Sequence, residues 1–259
     1  MIAVFSGTGN SMYVARRLAA ILGDEIVRLP VTGDTMPRAG SGRVIWVFPV
    51  YSWGMPPLLA GIIDAIDIEG AEAAVHYAVM TCGDDTGYAD RTWCRAVAGR
   101  GWTSRGIWSV QMPNTYVFMK GFDVDSVESA SSKISAAGSR IEAIAAGISV
   151  GSDKTDVVRG AFAWIKTYVI RPWFVKHCMS PDRFGATADC IGCGVCYDSC
   201  PMHNIEMKDR RPHWGHECAF CLRCYHICPR HAVAWGKASR GKGQSRQLIG
   251  YVFKCQKDV

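Results

Sequence analysis

The chain has 259 residues, 49% of them hydrophobic and 20% charged, a balance that supplies a buried core and excludes a disordered chain. The formal net charge of +6 is modest and unevenly placed, so charge alone gives no reason to expect a nucleic-acid partner. No span is expected either: the most apolar stretch, GAFAWIKTYVIRPWFV, is interrupted by Lys166 and Arg171 and falls short of the ~20 apolar residues a membrane crossing needs.

The first part of the chain alternates short β-type runs with helical patterns. IAVF (2–5) reads as a strand, and SMYVARRLAAIL (11–22) as a helix with Val14, Leu18, Ile21 and Leu22 at helical spacing and Gly23 as its C-cap. EIVRL (25–29) and RVIWVFPV (43–50) are the second and third strands. PPLLAGIIDAI (56–66) is a helix that opens on proline, where the missing N–H costs least. Strand four is AVHYAVMTC (74–82), followed by the helix ADRTWCRAVAG (89–99). Strand five is GIWSVQM (106–112), and a long helix covers 125–148. Strands alternating with helices predict a doubly wound, five-stranded parallel sheet over residues 1–150, with helices on both faces.

GSDKTD (151–156) opens a helical linker over 151–182, whose helix at 159–178 is expected to kink or divide at Pro172. A second, small α+β domain is expected at 183–236, followed by a basic tail at 237–259. That tail carries Lys237, Arg240, Lys242, Arg246, Lys254 and Lys257 against Asp258. It reads first as a solvated segment and second as a docking surface for an acidic protein.

Eight of the twelve cysteines fall in the small domain. Cys190, Cys193, Cys196, Cys200 and Pro201 are matched by Cys218, Cys221, Cys224, Cys228 and Pro229, so the unit is duplicated and expected to pack about a local two-fold axis. Each run reads C-x2-C-x2-C-x3-C-P. At this spacing three thiolates wrap one cubane, and the fourth reaches the neighbouring cluster. Cys190, Cys193, Cys196 and Cys228 would then bind one [4Fe–4S] cluster, and Cys218, Cys221, Cys224 and Cys200 the other. Gly192 and Gly194 give the backbone room to approach sulfide. Structural zinc usually takes four ligands from two separated pairs, which fits these runs poorly. The region resembles the bacterial two-cluster ferredoxin domain. Thiolates that hold metal imply a reducing compartment, and with no signal peptide in MIAVFSG the expectation is a soluble, cytoplasmic protein. Cys82, Cys94, Cys178 and Cys255 stand outside the pattern; Cys82 closes a strand at the edge where ligands bind.

FSGTGNS (5–11) lies between the first strand and the first helix. Its hydroxyl and amide donors Ser6, Thr8, Asn10 and Ser11, its turn residues Gly7 and Gly9 and the positive helix end suit a phosphate. The Walker lysine is missing, and Met12 stands where a dinucleotide fingerprint has its third glycine. A monophosphate held by dipoles is the expected ligand. The loop resembles the phosphate loop of flavodoxins, which implies a flavodoxin-like fold and flavin mononucleotide (FMN). Strands three and four then carry the loops that flank the flavin ring. Tyr51, Trp53 and Tyr88 are candidates to stack on it, and Ser52, Gly54, Cys82 and Gly83 to offer backbone contacts. Tyr116, in MPNTYV (112–117), is read as core packing.

These motifs together resemble the flavodoxin–ferredoxin fusion family of bacteria and archaea. The resemblance implies one FMN and two [4Fe–4S] clusters in one polypeptide. The expected function is electron transfer serving a redox partner protein, such as a ferredoxin or a reductase. The alternative is a flavin-dependent reductase of a small organic substrate fed through the clusters.

Overall fold

The computed structural model describes residues 1–31 and 36–253. Lys254, Cys255, Lys257 and Asp258 of the expected tail lie outside them. The N-terminal part is built on a parallel sheet of β1 (Ile2–Val4), β2 (Ile26–Arg28), β3 (Arg43–Pro49), β4 (Val75–Cys82), β5 (Thr103–Gln111) and β6 (Thr155–Asp156). Strand order is β2-β1-β3-β4-β5-β6. The expected five strands are therefore six. The sixth is two residues that pair with Ile107 and Trp108 of β5 inside the predicted linker, too short to leave a β-type period in the sequence.

Alternation along the central strands assigns each side chain to one of two cores. Val44, Trp46 and Phe48 of β3 pack with α2 (Pro57–Ala65) and α3 (Ala89–Gly99), through Leu59, Ile63, Trp93 and Val97. Ile45 and Val47 face the other way, against Val14 and Leu18 of α1 (Asn10–Leu22) and Ile141 and Ile144 of α4 (Val127–Ser149). Gly23 caps α1 at φ 71°, as its position predicts.

The helix expected at 159–178 is continuous from α5 (Ala163–Ile165) through a wide turn at Lys166–Ile170 into α6 (Arg171–Cys178). That π-turn absorbs Pro172: the Arg171 N–H reaches back five residues to Lys166 O, and the chain bulges instead of breaking.

The cysteine-rich part has the expected internal symmetry. Strand β7 (Phe184–Ala186) pairs antiparallel with β10 (Val233–Trp235), and β8 (Ile205–Lys208) with β9 (Arg211–Trp214). The pair Ile205↔Trp214 becomes Val233↔Ala186 when each residue is exchanged for its counterpart in the other repeat. Helices α7 (Val195–Asp198) and α8 (Arg223–Ile227) follow the corresponding cysteines. Backbone angles repeat too: Gly192 and Phe220 have φ 66° and 51°, and Gly194 and Leu222 have φ 76° and 58°.

The two parts share a core. Val117 and Phe118, in the loop after β5, are buried among Phe220, Tyr225 and Trp235 of the cysteine-rich unit. Phe118 stacks on Trp235 with ring centroids 5.3 Å apart. Residues 237–251, expected as a free tail, form a strap. Ser239, Ser245 and Leu248 are buried, Gln244 Nε2 donates to Tyr225 O and Cys228 O, and Leu248 packs into the core of the parallel sheet.

Two outcomes follow from this packing. Phe118→Ala is expected to cost roughly 3 kcal/mol or more, read as a lower denaturation midpoint. His76 is fully buried, accepts from Trp46 Nε1 at Nδ1 and donates from Nε2 to Ala71 O, both at 3.0 Å. Burial pushes its pKa below the ordinary 6.5, so the unfolded chain takes up the proton first. Stability should be full above about pH 6.5 and fall as pH drops through that value, a slope that urea titrations should find flattened in His76→Gln.

Candidate functional site

The carboxyl ends of β1, β3, β4 and β5 open into a cavity of about 440 Å³, within the usual range for small-molecule sites. Ser6, Gly7, Thr8, Asn10 and Ser11 line it, as do Tyr51, Ser52, Trp53, Cys82 and Gly83. Three predicted contacts lie off its wall. Gly9 is the α1 N-cap at φ 104°, packed so tightly under Leu248 that a Cβ would lie 2.0 Å from Leu248 O. Gly54 closes the Tyr51–Gly54 turn against Arg171. Tyr88 packs on Tyr168 at 5.9 Å, with the guanidinium groups of Arg91 and Arg159 over its ring.

Within the loop the donors divide their work. Ser11 Oγ is hydrogen-bonded to Thr81 Oγ1 at 2.8 Å, Asn10 Nδ2 donates to Pro113 O at 2.8 Å, and Ser6 Oγ accepts from Met12 N. These three fix the loop. Thr8 keeps its hydroxyl free, and the N–H groups of Thr8 and Gly9 have no protein acceptor among the described residues. With the open N–H groups of the first turn of α1 they make an anion cradle.

Tyr51–Gly54 is a two-residue turn in which Tyr51 N donates to Gly54 O at 2.9 Å. Ser52 and Trp53 both hold left-handed φ, 46° and 59°, an uncommon and costly state for side chains of this kind. Thr167 Oγ1 donates to Trp53 O at 2.9 Å, and Lys166 Nζ lies 5.5 Å from the Trp53 ring centre. Three residues lining the cavity each carry a buried polar atom with no partner among the described residues: Ser52 Oγ, Asp85 Oδ1 and Tyr116 OH. Asp85 uses its other oxygen for Lys166 at 2.6 Å. Burial, reinforced by Asp85 and Asp84, pushes the Cys82 thiol up to about 12, so it stays neutral.

Sequence reasoning missed part of this wall. Tyr116 packs on Phe122 and Phe174, as expected of a core residue, yet it also lines the cavity. Ile170, Trp173 and Phe174 come from the helix taken as a linker, and Phe220, Cys221 and Leu222 from the second cysteine run. The aromatic density of 162–174 was the available signal.

The eight cysteines stand around two further cavities. Cys190, Cys193, Cys196 and Cys228 line one, and Cys200, Cys218, Cys221 and Cys224 the other. Each set draws three residues from one run and the last from its partner run. Among the described residues no three Cys, His, Asp or Glu side chains converge as around a single ion. Asn204 N donates to Cys200 Sγ at 3.4 Å and Ala232 N to Cys228 Sγ at 3.2 Å, a symmetric pair. Burial pushes Cys196 up to about 11 and Cys218 up to about 12. Sulfurs so placed become thiolates together only with a metal's positive charge between them. Cys94 and Cys178 are half-buried and line neither cavity.

Cys221 lines both its cysteine cavity and the large one. Beside it the Arg223 guanidinium donates to Ser6 O at 2.5 Å, Gly7 O at 2.8 Å and Ser199 O at 2.8 Å. A Cβ on Gly7 would lie 2.5 Å from Cys221 O. The sequence hint was an Arg where the first run has Val195.

Residues 189–233 match the 4Fe-4S dicluster domain. This part of the chain is an iron–sulfur domain of ferredoxin character. No curated protein matches the chain. A solved structure of Trp repressor binding protein from Bacillus subtilis is similar over 54% of this chain and 96% of its own, with 16% identity and a TM-score of 0.34. At that distance the likeness implies no shared ligand or activity. Among the described residues no helix is long and apolar enough to cross a membrane.

Gly7→Ala is expected to force the loop off Cys221. Thermal stability should fall, as read by scanning calorimetry, and titrated inorganic phosphate should bind about tenfold or more weakly, whereas Gly61→Ala, with open space at its Cβ, should change neither.

Proposed function

We propose that this chain is an electron-transfer protein holding two [4Fe–4S] clusters and one FMN, serving a redox partner protein in a reducing, cytoplasmic setting. The observation that carries the reading is Cys221, one side chain on the wall of both a four-cysteine cavity and the large cavity beside the anion cradle. When bound, the clusters supply one-electron steps, and the flavin one- or two-electron steps, across that shared wall.

The residues present fit both groups. Cys190, Cys193, Cys196 and Cys228 would hold one cluster, and Cys218, Cys221, Cys224 and Cys200 the other, the interleaving expected of two-cluster ferredoxin spacing. Thr8 and the open N–H groups of the loop would take the phosphate. Tyr51 and Trp53 would flank the ring, and Gly83 and the unpaired Ser52 hydroxyl would meet its polar edge. Burial, with Cys221 and Cys218 adding to it, raises the Tyr51 pKa well above its ordinary value, so that phenol stays neutral. Ile170, Trp173 and Phe174, from the helical segment that runs through α6, line one side of the cavity, and Phe174 is buried there.

A second reading, reduction of a small organic substrate, draws on one observation. The same cavity is lined by Met119, Phe122 and Tyr116, whose buried hydroxyl has no partner among the described residues. Reduced protein that is reoxidised by redox proteins and ignores a metabolite panel supports transfer alone; saturable turnover with a small molecule supports the second reading.

The deciding experiment is an anaerobic analysis of iron, acid-labile sulfide and released flavin per chain. About eight iron, eight sulfide and one FMN are expected; zinc in their place, or no uptake of offered FMN, refutes the proposal. Trp53→Ala should lower flavin content at least several-fold while iron stays unchanged, as judged by the visible spectrum and metal analysis.

A further inference from the structure

We infer that the surface around Ile191, Cys193 and Tyr197 is the docking face for an external, acidic one-electron carrier protein. The inference rests on the electron-transfer reading above and adds where the partner binds and what it is like.

The argument comes from internal symmetry. The two cysteine runs share their backbone course, down to the left-handed angles at 192/220 and 194/222. Their surroundings differ. In the second run Ala219 is 6% exposed and Tyr225 fully buried, and Cys221 is pressed on Gly7 of the anion loop. At the matching places in the first run Ile191 is 52% exposed, Tyr197 48%, and Cys193 is exposed. This chain's own N-terminal unit therefore covers one copy of the surface, and no described residue covers the other. The covered copy also spends strain on the contact. Phe220 and Leu222 hold left-handed angles that the first run gives to Gly192 and Gly194, and both point into buried space. In the first copy Gly192 lets Arg210 pack closely on the loop, while Gly194 has open space at its Cβ but for Asp198 at 3.9 Å.

Charge says which partner fits. Four exposed arginines frame the opening. Arg210 donates to Ile191 O at 3.3 Å, Arg211 to Thr187 O at 2.8 Å and Arg246 to Cys228 O at 3.0 Å, while Arg230 lines the cavity itself. The acids beside them are Asp189, which accepts from Thr187 Oγ1 at 3.2 Å, Asp198 and Asp209, so the arginines remain in excess. A second copy of this chain docking by a two-fold would set the arginines against themselves. A carrier with acidic residues around its own centre meets both the apolar middle and the basic rim. In each encounter the reduced carrier would lose one electron and the [4Fe–4S] cluster that Cys190, Cys193, Cys196 and Cys228 would hold would gain it; no bond forms or breaks and no proton moves.

The test uses anaerobically prepared holoprotein and, as probe, an acidic bacterial two-cluster ferredoxin. Its Kd is measured by titration at low and high salt, alongside rates of reduction by the reduced ferredoxin and by dithionite. Tyr197→Glu and the pair Arg210→Glu/Arg211→Glu should each weaken binding and slow ferredoxin reduction about tenfold or more, and the arginine pair should also lose the salt dependence. Iron content should stay at the wild-type value, and reduction by dithionite, itself a small anion, should slow far less than reduction by ferredoxin. If Tyr197→Glu loses iron, the arginine pair decides. Wild-type binding in that pair, or a loss of binding only in Lys237→Glu/Arg240→Glu of the strap, overturns the inference. Those outcomes leave the proposed function standing, since that fails only if wild-type protein takes up no clusters or no flavin.

Discussion

The molecule turns on one buried guanidinium. Arg223 leaves the second cysteine run and ends under the anion loop, with its donors spent on the carbonyls of Ser6, Gly7 and Ser199. Neutral carbonyls alone compensate a buried cation poorly. Burial lowers the Arg223 pKa, and the neighbouring Cys221 acts against that shift. The cation is therefore best matched when negative charge stands on either side, as sulfur ligands of a cluster on one and a bound anion on the other. Loop, cysteine run and the cavity between them are arranged around that balance. It also explains a loop without a basic residue of its own: the charge arrives from more than two hundred positions away.

Much of the fold could be read in advance because it is periodic. Alternation along β3 and β4, helical spacing in α1 and the duplicated cysteines are local patterns, and local patterns survive without coordinates. What escaped was long-range. Nothing in Thr155–Asp156 marks a strand; it is one because β5 offers an open edge. Basic composition made 237–251 look solvated, yet Leu248 and two serines decide its course by being buried. Tyr88 follows a strand as Tyr51 and Trp53 do, but two arginines hold its ring elsewhere. The candidate site divides the same way. The loop and the cysteine cavities follow from motif spacing. The wall built by α5–α6 and Phe220–Leu222 follows only from packing.

Duplication gave this chain two equivalent faces, and it treats them unequally. Where glycine would be unstrained the second run has Phe220 and Leu222, which hold left-handed angles and contribute large side chains to the shared core. The lost conformational ease is offset by burial of apolar area. The π-turn ahead of Pro172 belongs to the same economy of local irregularity. It lets one helix carry Lys166 to Asp85, Thr167 to Trp53 and Phe174 to the cavity wall.

Leu248 lies on Gly9, so the loop after β1 is completed by a segment that follows both cysteine runs in the chain. From below, the same loop is held by Arg223 of the second cysteine run. The parallel sheet alone supplies neither contact. The seat of this loop is therefore a property of the assembled chain, and loosening either distant segment should be felt at the opposite end of the sequence.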